Sequence, residues 1–223
     1  MHKTAISWGL VNPPSLVIFD LDGTLIDSLA GLADSVNAMR RQLGHLPLPL
    51  EFVRSAIGKG ARNLVSRCLP ERDDRVDEGL ALFLAHNGGN LAAGTSLYPG
   101  AKGLLEALGN AGIPMALVSN KNTAHCKKIL ELLGIDSHFR AVLGGDAEKE
   151  CKPSPMPLLA AVASCGADPE TSLMIGDSCN DFEAARGCGI RSIGCRFGYG
   201  EPWELELADA LINSLDELRP LPW

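Results

Sequence analysis

Residues 16–19, Leu-Val-Ile-Phe, run directly into Asp20-Leu-Asp22-Gly-Thr24. The apolar run is short, carries β-branched Val17 and Ile18, and predicts a strand buried on both faces. Two carboxylates follow where that strand ends, the place at which open α/β sheets bind ligands. Gly23 lets the backbone turn sharply straight after them. Two like charges this close need a cation or a shared proton to relieve them. The run therefore points to a metal, an acid–base pair, or both. An EF-hand calcium loop is excluded, because counting from Asp20 puts Leu25 and Gly31 where that loop needs Gly and Glu.

Downstream of residue 96, strand and helix signals alternate. Pro99-Gly100 opens a helix with Leu104, Leu105 and Leu108 on one side. Strands are predicted at 115–118, 141–143, 172–175, 191–195 and 210–212, and helices at about 126–133, 158–165 and 181–187. This rhythm predicts a parallel, Rossmann-like α/β sheet with helices on both faces. Residues 28–96 break the rhythm. Leu29, Leu32, Ala33, Val36, Met39 and Leu43 keep helical spacing, as do the apolar positions of 64–69 and 76–83, and no strand pattern intervenes. The expected layout is an α/β core of 14–27 and 97–223 with an inserted all-helical cap of 28–96. Its two linkers lie near Asp27 and Leu97-Tyr98, and two-linker lobes commonly act as lids.

With 223 residues and 46% hydrophobic content, the chain has enough apolar side chain for one substantial core and a smaller lobe. The net charge of −7 and the lack of a basic stripe argue against nucleic acid as a partner. An anionic ligand would accordingly need a local cluster of cations. The seven cysteines are scattered with no C-x-x-C pair, which fits reduced thiols in a cytoplasmic protein. No segment reads as a signal peptide or a membrane span, and residues 1 to about 13 read as a loose leader.

Four features end a predicted strand or open the next helix: Asp20-Leu-Asp22-Gly-Thr24, Ser119-Asn120, Lys152-Pro153, and Gly176-Asp177-Ser178 with Asp181. In order, type and spacing they resemble the haloacid dehalogenase superfamily of phosphatases, over nearly the whole chain. Phe19 to Ser28, Ile57-Gly-Lys-Gly60, Tyr98-Pro-Gly100, Val118-Ser-Asn-Lys121 and Lys152-Pro-Ser-Pro155 bring it nearest the phosphoglycolate phosphatase group. The resemblance implies that Asp20 attacks phosphorus and Asp22 serves as acid, then base. Asp22 would hold its proton under the repulsion of the phosphate and Asp20. It also implies that Mg²⁺ is held by Asp20, Asp177 and the main-chain carbonyl of Asp22. Ser119, Asn120 and Lys152 would bind the phosphoryl group, together with Gly23 and Thr24 of the first turn, where Thr24 and Asp27 also stabilise the turn and the hinge. Asp181 would orient Lys152 or a metal-bound water. The expected partner is a small phosphorylated metabolite, foremost 2-phosphoglycolate, acting on a monomer or homodimer.

Each feature alone has a plainer reading. Ser119 would be a helix cap, Lys152 a surface lysine, and Asp177 and Asp181 first-turn charges; the set outweighs these. Gly58-Lys59-Gly60-Ala61-Arg62 matches neither a dinucleotide fingerprint nor a P-loop. It reads either as a lid loop lowering Lys59 or Arg62 onto the substrate or as a turn with solvated charges. A dehalogenase is disfavoured because its members lack the second carboxylate, here Asp22. A phosphonate hydrolase would need a lid lysine that forms a Schiff base. A sugar phosphomutase, a pyrophosphatase or a nucleotidase stays open on the same core. A non-enzymatic binding module would be expected to have lost one of Asp20, Asp22, Lys152 or Asp177.

Overall fold

The computed structural model describes residues 13–70 and 74–219. The expected leader lies outside the described residues except at its last position. In chain order the elements are β1 (Leu16–Phe19), β2 (Ile26–Asp27), α1 (Leu29–Gln42), α2 (Leu50–Ala56), α3 (Gly60–Cys68), α4 (Val76–Gly89) and β3 (Ser96–Leu97). There follow α5 (Ala101–Asn110), β4 (Met115–Val118), α6 (Thr123–Leu132), β5 (Ala141–Leu143), α7 (Met156–Cys165) and β6 (Ser172–Gly176). The last are α8 (Cys179–Gly187), β7 (Arg191–Cys195), α9 (Pro202–Leu205) and β8 (Ala210–Ile212).

Six strands form one parallel sheet in the order β5-β4-β1-β6-β7-β8. All four side chains of β1 are buried, because helices cover both faces. Val17 and Phe19 pack on one side with Leu104, Leu105 and Leu108 of α5 and Ile129 and Leu130 of α6. Leu16 and Ile18 pack on the other with Leu158, Ala161 and Val162 of α7 and Ala184 and Ala185 of α8. The period-two alternation of a strand thus feeds two separate apolar layers. β1 lies between β4 and β6, so the chain crosses to opposite sides of it and leaves a crevice at its carboxyl end.

Helices α1 to α4 lie between β2 and β3 and have a core of their own, with Leu32, Val36, Met39, Val53, Leu64 and Phe83 among its members. The connections to this insert are not free linkers. Ile26 pairs with Leu97 and Asp27 with Ser96 in a two-stranded antiparallel ribbon. Two residues per strand are too few to show an alternating pattern in the sequence. Helix α2 likewise carries no sequence signal, since only Val53 and Ala56 of its seven residues are buried and they make no stripe. Five cysteines are buried, Cys188 is partly buried and Cys151 is exposed, all as free thiols. Among the described residues, no helix is long and apolar enough to cross a membrane.

Leu117 is fully buried between β1 and β5. Leu117→Ala should cost about 2–5 kcal/mol in urea unfolding, while Leu117→Ile should cost less than about 1.5 kcal/mol. Equal, small losses for both would contradict a closely packed layer at this position.

Candidate active site

The carboxyl ends of β1, β4 and β6 bring the four sequence features together. Asp20 follows β1, Ser119 follows β4, and Asp177 follows β6, with Asp181 one turn into α8. All four are buried, and so is Lys152, on the loop that leads into α7. The Lys152 Nζ donates to Asp20 Oδ1 at 2.8 Å, to Asp181 Oδ1 at 2.6 Å and to the Val118 carbonyl at 2.6 Å. All three ammonium donors are therefore used on groups placed by the strand ends and the first turn of α8. Burial alone would favour a neutral lysine, but Asp181 and Asp20 hold its proton affinity above the ordinary value.

Asp181 fills a positioning role. Its other oxygen, Oδ2, accepts the backbone N–H of Asp177 (3.2 Å), the N–H of Ser178 (3.1 Å) and the Ser178 hydroxyl (3.1 Å). Its carboxylate is thus occupied by Lys152 on one side and the start of α8 on the other. The oxygens of Asp20, Asp177 and Asp181 lie within 4.8 Å of one another. Against these three carboxylates stands one ammonium, so ionising all three would leave two negative charges uncompensated in a buried place. Burial, then Asp181 and Asp22, push the Asp20 carboxyl up to about 6 against the pull of Lys152. Burial, then Asp181 and Asp20, raise Asp177 well above the carboxylate range. An all-oxygen cluster whose full ionisation needs two compensating charges suits a divalent cation such as Mg²⁺. Asp20 and Asp177 are the carboxylates with oxygens to offer it.

Asp22 stands beside this cluster with partners of its own. The Lys121 Nζ donates to both of its oxygens, at 2.8 and 2.7 Å, and Ser28 Oγ donates to Oδ1 at 2.5 Å. The neighbours expected for Asp22 are the phosphate and Asp20, and the structure adds the Lys121 ammonium to them. The available signal was a cation two residues after Ser119.

Several expected binding residues take other places. Gly23 has φ +87°, and a Cβ there would come within 2.1 Å of Asp177 Oδ2, so it makes room for that carboxylate rather than lining the cavity. Thr24 is fully buried, turned inward, with its hydroxyl unpartnered among the described residues. The Asn120 amide donates to the Gly58 and Lys152 carbonyls at 3.0 and 2.9 Å, so both its donors are committed to protein. Arg62 points away from the cavity into an exposed ion pair with Asp77 at 2.7 Å. Its position on α3 puts it on the outer face, whereas Lys59 does reach the cavity.

Two contributors went unnoticed in the sequence. Asn180 donates to the Gly58 carbonyl at 3.4 Å, beside Asn120, so a core strand end and a core helix both hold the insert loop. Tyr199 donates its backbone N–H to Asp177 Oδ2 at 2.6 Å. Its hydroxyl accepts the Ser28 N–H at 2.7 Å and donates to Asp27 Oδ1 at 2.9 Å. The readable signal was its flanking glycines: a Cβ at Gly198 or Gly200 would come within 2.3 or 1.9 Å of Asp177. A cavity of about 370 Å³ lies over these residues. Its floor carries Asp20, Ser119 and Lys152, and its roof Ile57, Leu64 and Phe83 of the insert.

The model of the haloacid dehalogenase-like hydrolase family matches residues 17–195. The chain belongs to this family. It is 39% identical to a phosphoglycolate phosphatase of Neisseria meningitidis over 91% of each chain. It is also 39% identical to one of Chromobacterium violaceum, over 92% of this chain and 95% of the relative. A crystal structure described as a predicted phosphoglycolate phosphatase from Haemophilus somnus superposes with a TM-score of 0.87 at 32% identity, covering 93% of this chain and 97% of that one. The family and α/β fold expected from the sequence are both borne out.

For a member of this hydrolase family, the uncompensated charge has a thermal signature. A carboxyl whose folded pKa is raised, as at Asp20, lowers stability as pH rises from the unfolded value toward about 6. A divalent cation should remove that penalty above pH 6, and protons should compete with it below. At a hundredfold excess over its Kd, Mg²⁺ should stabilise the fold by about 2.7 kcal/mol at pH 7.5, raising Tm by roughly 5–10 °C. The shift should shrink at pH 5 and reverse with EDTA. A shift of the same size at both pH values would contradict this assignment of the cluster.

Proposed function

We propose that the chain is a Mg²⁺-dependent phosphatase that hydrolyses a small phosphate monoester, foremost 2-phosphoglycolate, through a phosphorylated Asp20. The observation that carries this reading is the Lys152–Asp20 contact of 2.8 Å at the carboxyl end of the central strand, beside Asp177 and under the cavity roofed by the insert. Hydrolysis of a phosphate monoester is slow because negative oxygens repel the nucleophile, so catalysis rests on placement and charge. Asp20 is placed by a strand buried on both faces, and Lys152 by two carboxylates and a carbonyl. Neither has to reorganise when a phosphoryl group arrives.

In this reading the Asp20 carboxylate attacks phosphorus and the ester bond breaks. Asp22, which takes up a proton as the negative phosphate comes to lie beside it, gives that proton to the departing alkoxide oxygen. Asp22 then takes a proton from water as that water attacks the phosphoryl group, releasing phosphate and restoring Asp20. Ser119, buried at the end of β4, offers its hydroxyl to a phosphoryl oxygen, and Lys152 offers its charge. Asp20, Asp177 and the main-chain carbonyl of Asp22 would hold Mg²⁺, which when bound offsets charge on the transferring group. Residues 28–96 act as a cap: the Gly58 loop, held by Asn120 and Asn180, shuts the cavity over the leaving group and keeps bulk water out. The names of the relatives from Neisseria and Chromobacterium support 2-phosphoglycolate as the substrate.

Phosphate release from 2-phosphoglycolate and from p-nitrophenyl phosphate, with Mg²⁺ or EDTA, tests the reading. Turnover should require Mg²⁺ and vanish in Asp20→Asn. Asp22→Asn should lower kcat by roughly 10²–10⁴ with little change in KM. Turnover surviving Asp20→Asn, or an unchanged kcat in Asp22→Asn, would overturn the corresponding role.

A further inference from the structure

Lys121 is the strongest charge in the cavity that the proposed chemistry leaves unused. Its side chain is 11% exposed and its Nζ grips both oxygens of Asp22. The loop that carries it is fixed: the Gly145 N–H donates to the Lys121 carbonyl at 2.9 Å, and the Lys121 N–H donates to Ser119 Oγ at 3.3 Å. An ammonium has three N–H donors. Two go to Asp22, and the third has no partner among the described residues. A cation held in place, lining the cavity and with one donor unspent, is equipped to receive a second anion.

Its location says which anion. Resting on the proposed function, Asp22 touches the ester oxygen of the leaving group. Lys121 touches Asp22, so its Nζ lies within two hydrogen bonds, about 5.5 Å at most, of that oxygen. A carboxylate one carbon away from the ester oxygen falls within this reach. A carboxylate at the far end of a longer chain would instead approach Lys59 or Arg67, the exposed cations contributed by the insert. We propose that Lys121 is the specificity-determining residue of this site, and that it selects O-phosphorylated α-hydroxy acids by pairing with the carboxylate of the leaving group. The cation belongs to the sheet rather than to the cap, so selection does not wait on how the cap closes. A leaving group without the carboxylate gains nothing from Lys121 and still has to share the cavity with it.

The test compares 2-phosphoglycolate with ethyl phosphate, which has the same number of carbons and no carboxylate. For the unaltered protein with Mg²⁺, kcat/KM should favour 2-phosphoglycolate by at least tenfold. In Lys121→Met that preference should fall at least tenfold, mainly through KM. Lys121→Arg, which keeps the charge, should recover part of it. The ratio between two substrates of one variant does not move with the fraction of protein folded, so a general loss of stability cannot imitate the result. If the unaltered protein shows the preference and Lys121→Met keeps it, the assignment of Lys121 is overturned while the function stands. If the unaltered protein hydrolyses both esters without preference, Lys121 selects nothing and its assignment is overturned while the phosphatase reading stands; if it hydrolyses neither, the proposed function fails and the assignment with it. Should Lys121→Met not fold, Lys121→Gln also removes the charge: a lost preference there supports the assignment and a retained one overturns it.

Discussion

One buried ammonium, Lys152, holds two carboxylates in place at the end of the central strand, and the site is arranged around it. In the interior such contacts are strong only because water is excluded, and removing one partner of a buried pair typically costs about 3–5 kcal/mol. Asp20 and Asp181 are therefore tied to Lys152 by the stability of the fold itself. Asp181 passes that constraint on through its second oxygen, which organises the start of α8 and the backbone of Asp177. The positions of the proposed nucleophile, the charge facing it and the second carboxylate are thus set together. What remains is an excess of negative charge, and that excess makes the cluster receptive to a divalent cation.

Apart from Leu91, which packs into the apolar layer of the core, the insert is joined to this centre by polar contacts. Gly58 is held by Asn120 and Asn180, and Arg54 donates to the Gly198 carbonyl at 2.5 Å. Tyr199 closes the circuit. Its backbone holds Asp177 while its hydroxyl holds Ser28 and Asp27, at the ribbon through which the chain enters the insert. A carboxylate of the cluster and the entry to the insert are thus one residue apart in bonding. The apolar roof over the polar floor gives a cavity in which charge interactions are strong and in which a small anion meets fixed cations from the sheet.

The parallel sheet and its switch point were legible because β1, β4, β5 and β8 are short, fully apolar runs ending in a polar or glycine signal, and β6 has an apolar centre before Gly176. The two buried faces of β1 follow from Leu16-Val-Ile-Phe19 alone. Asp20, Ser119, Lys152 and Asp177 were legible as a set through order and spacing, and the structure brings them into one crevice. What was not legible depends on contacts between distant segments. The ribbon of Ile26–Asp27 with Ser96–Leu97 is too short to carry a pattern. The Lys121–Asp22 pair joins residues 99 positions apart. Arg62 and Asn120 had the right chemistry, but only packing decides that one faces solvent toward Asp77 and that the other spends its amide on two carbonyls. Tyr199 was hidden because an aromatic between glycines reads as an ordinary loop until the carboxylate beside it is seen.

Covalent catalysis at a single carboxylate, Asp20, is the step on which the proposed function turns. The most direct measurement is acid quenching during turnover of 2-phosphoglycolate with Mg²⁺, followed by peptide mass spectrometry. The expected product is a peptide containing residues 16–27 that is heavier by one phosphoryl group, with fragmentation placing that group on Asp20 and hydroxylamine removing it. Turnover with no modified chain at any quench time, or with the phosphoryl group on Ser119 or another residue, would contradict it.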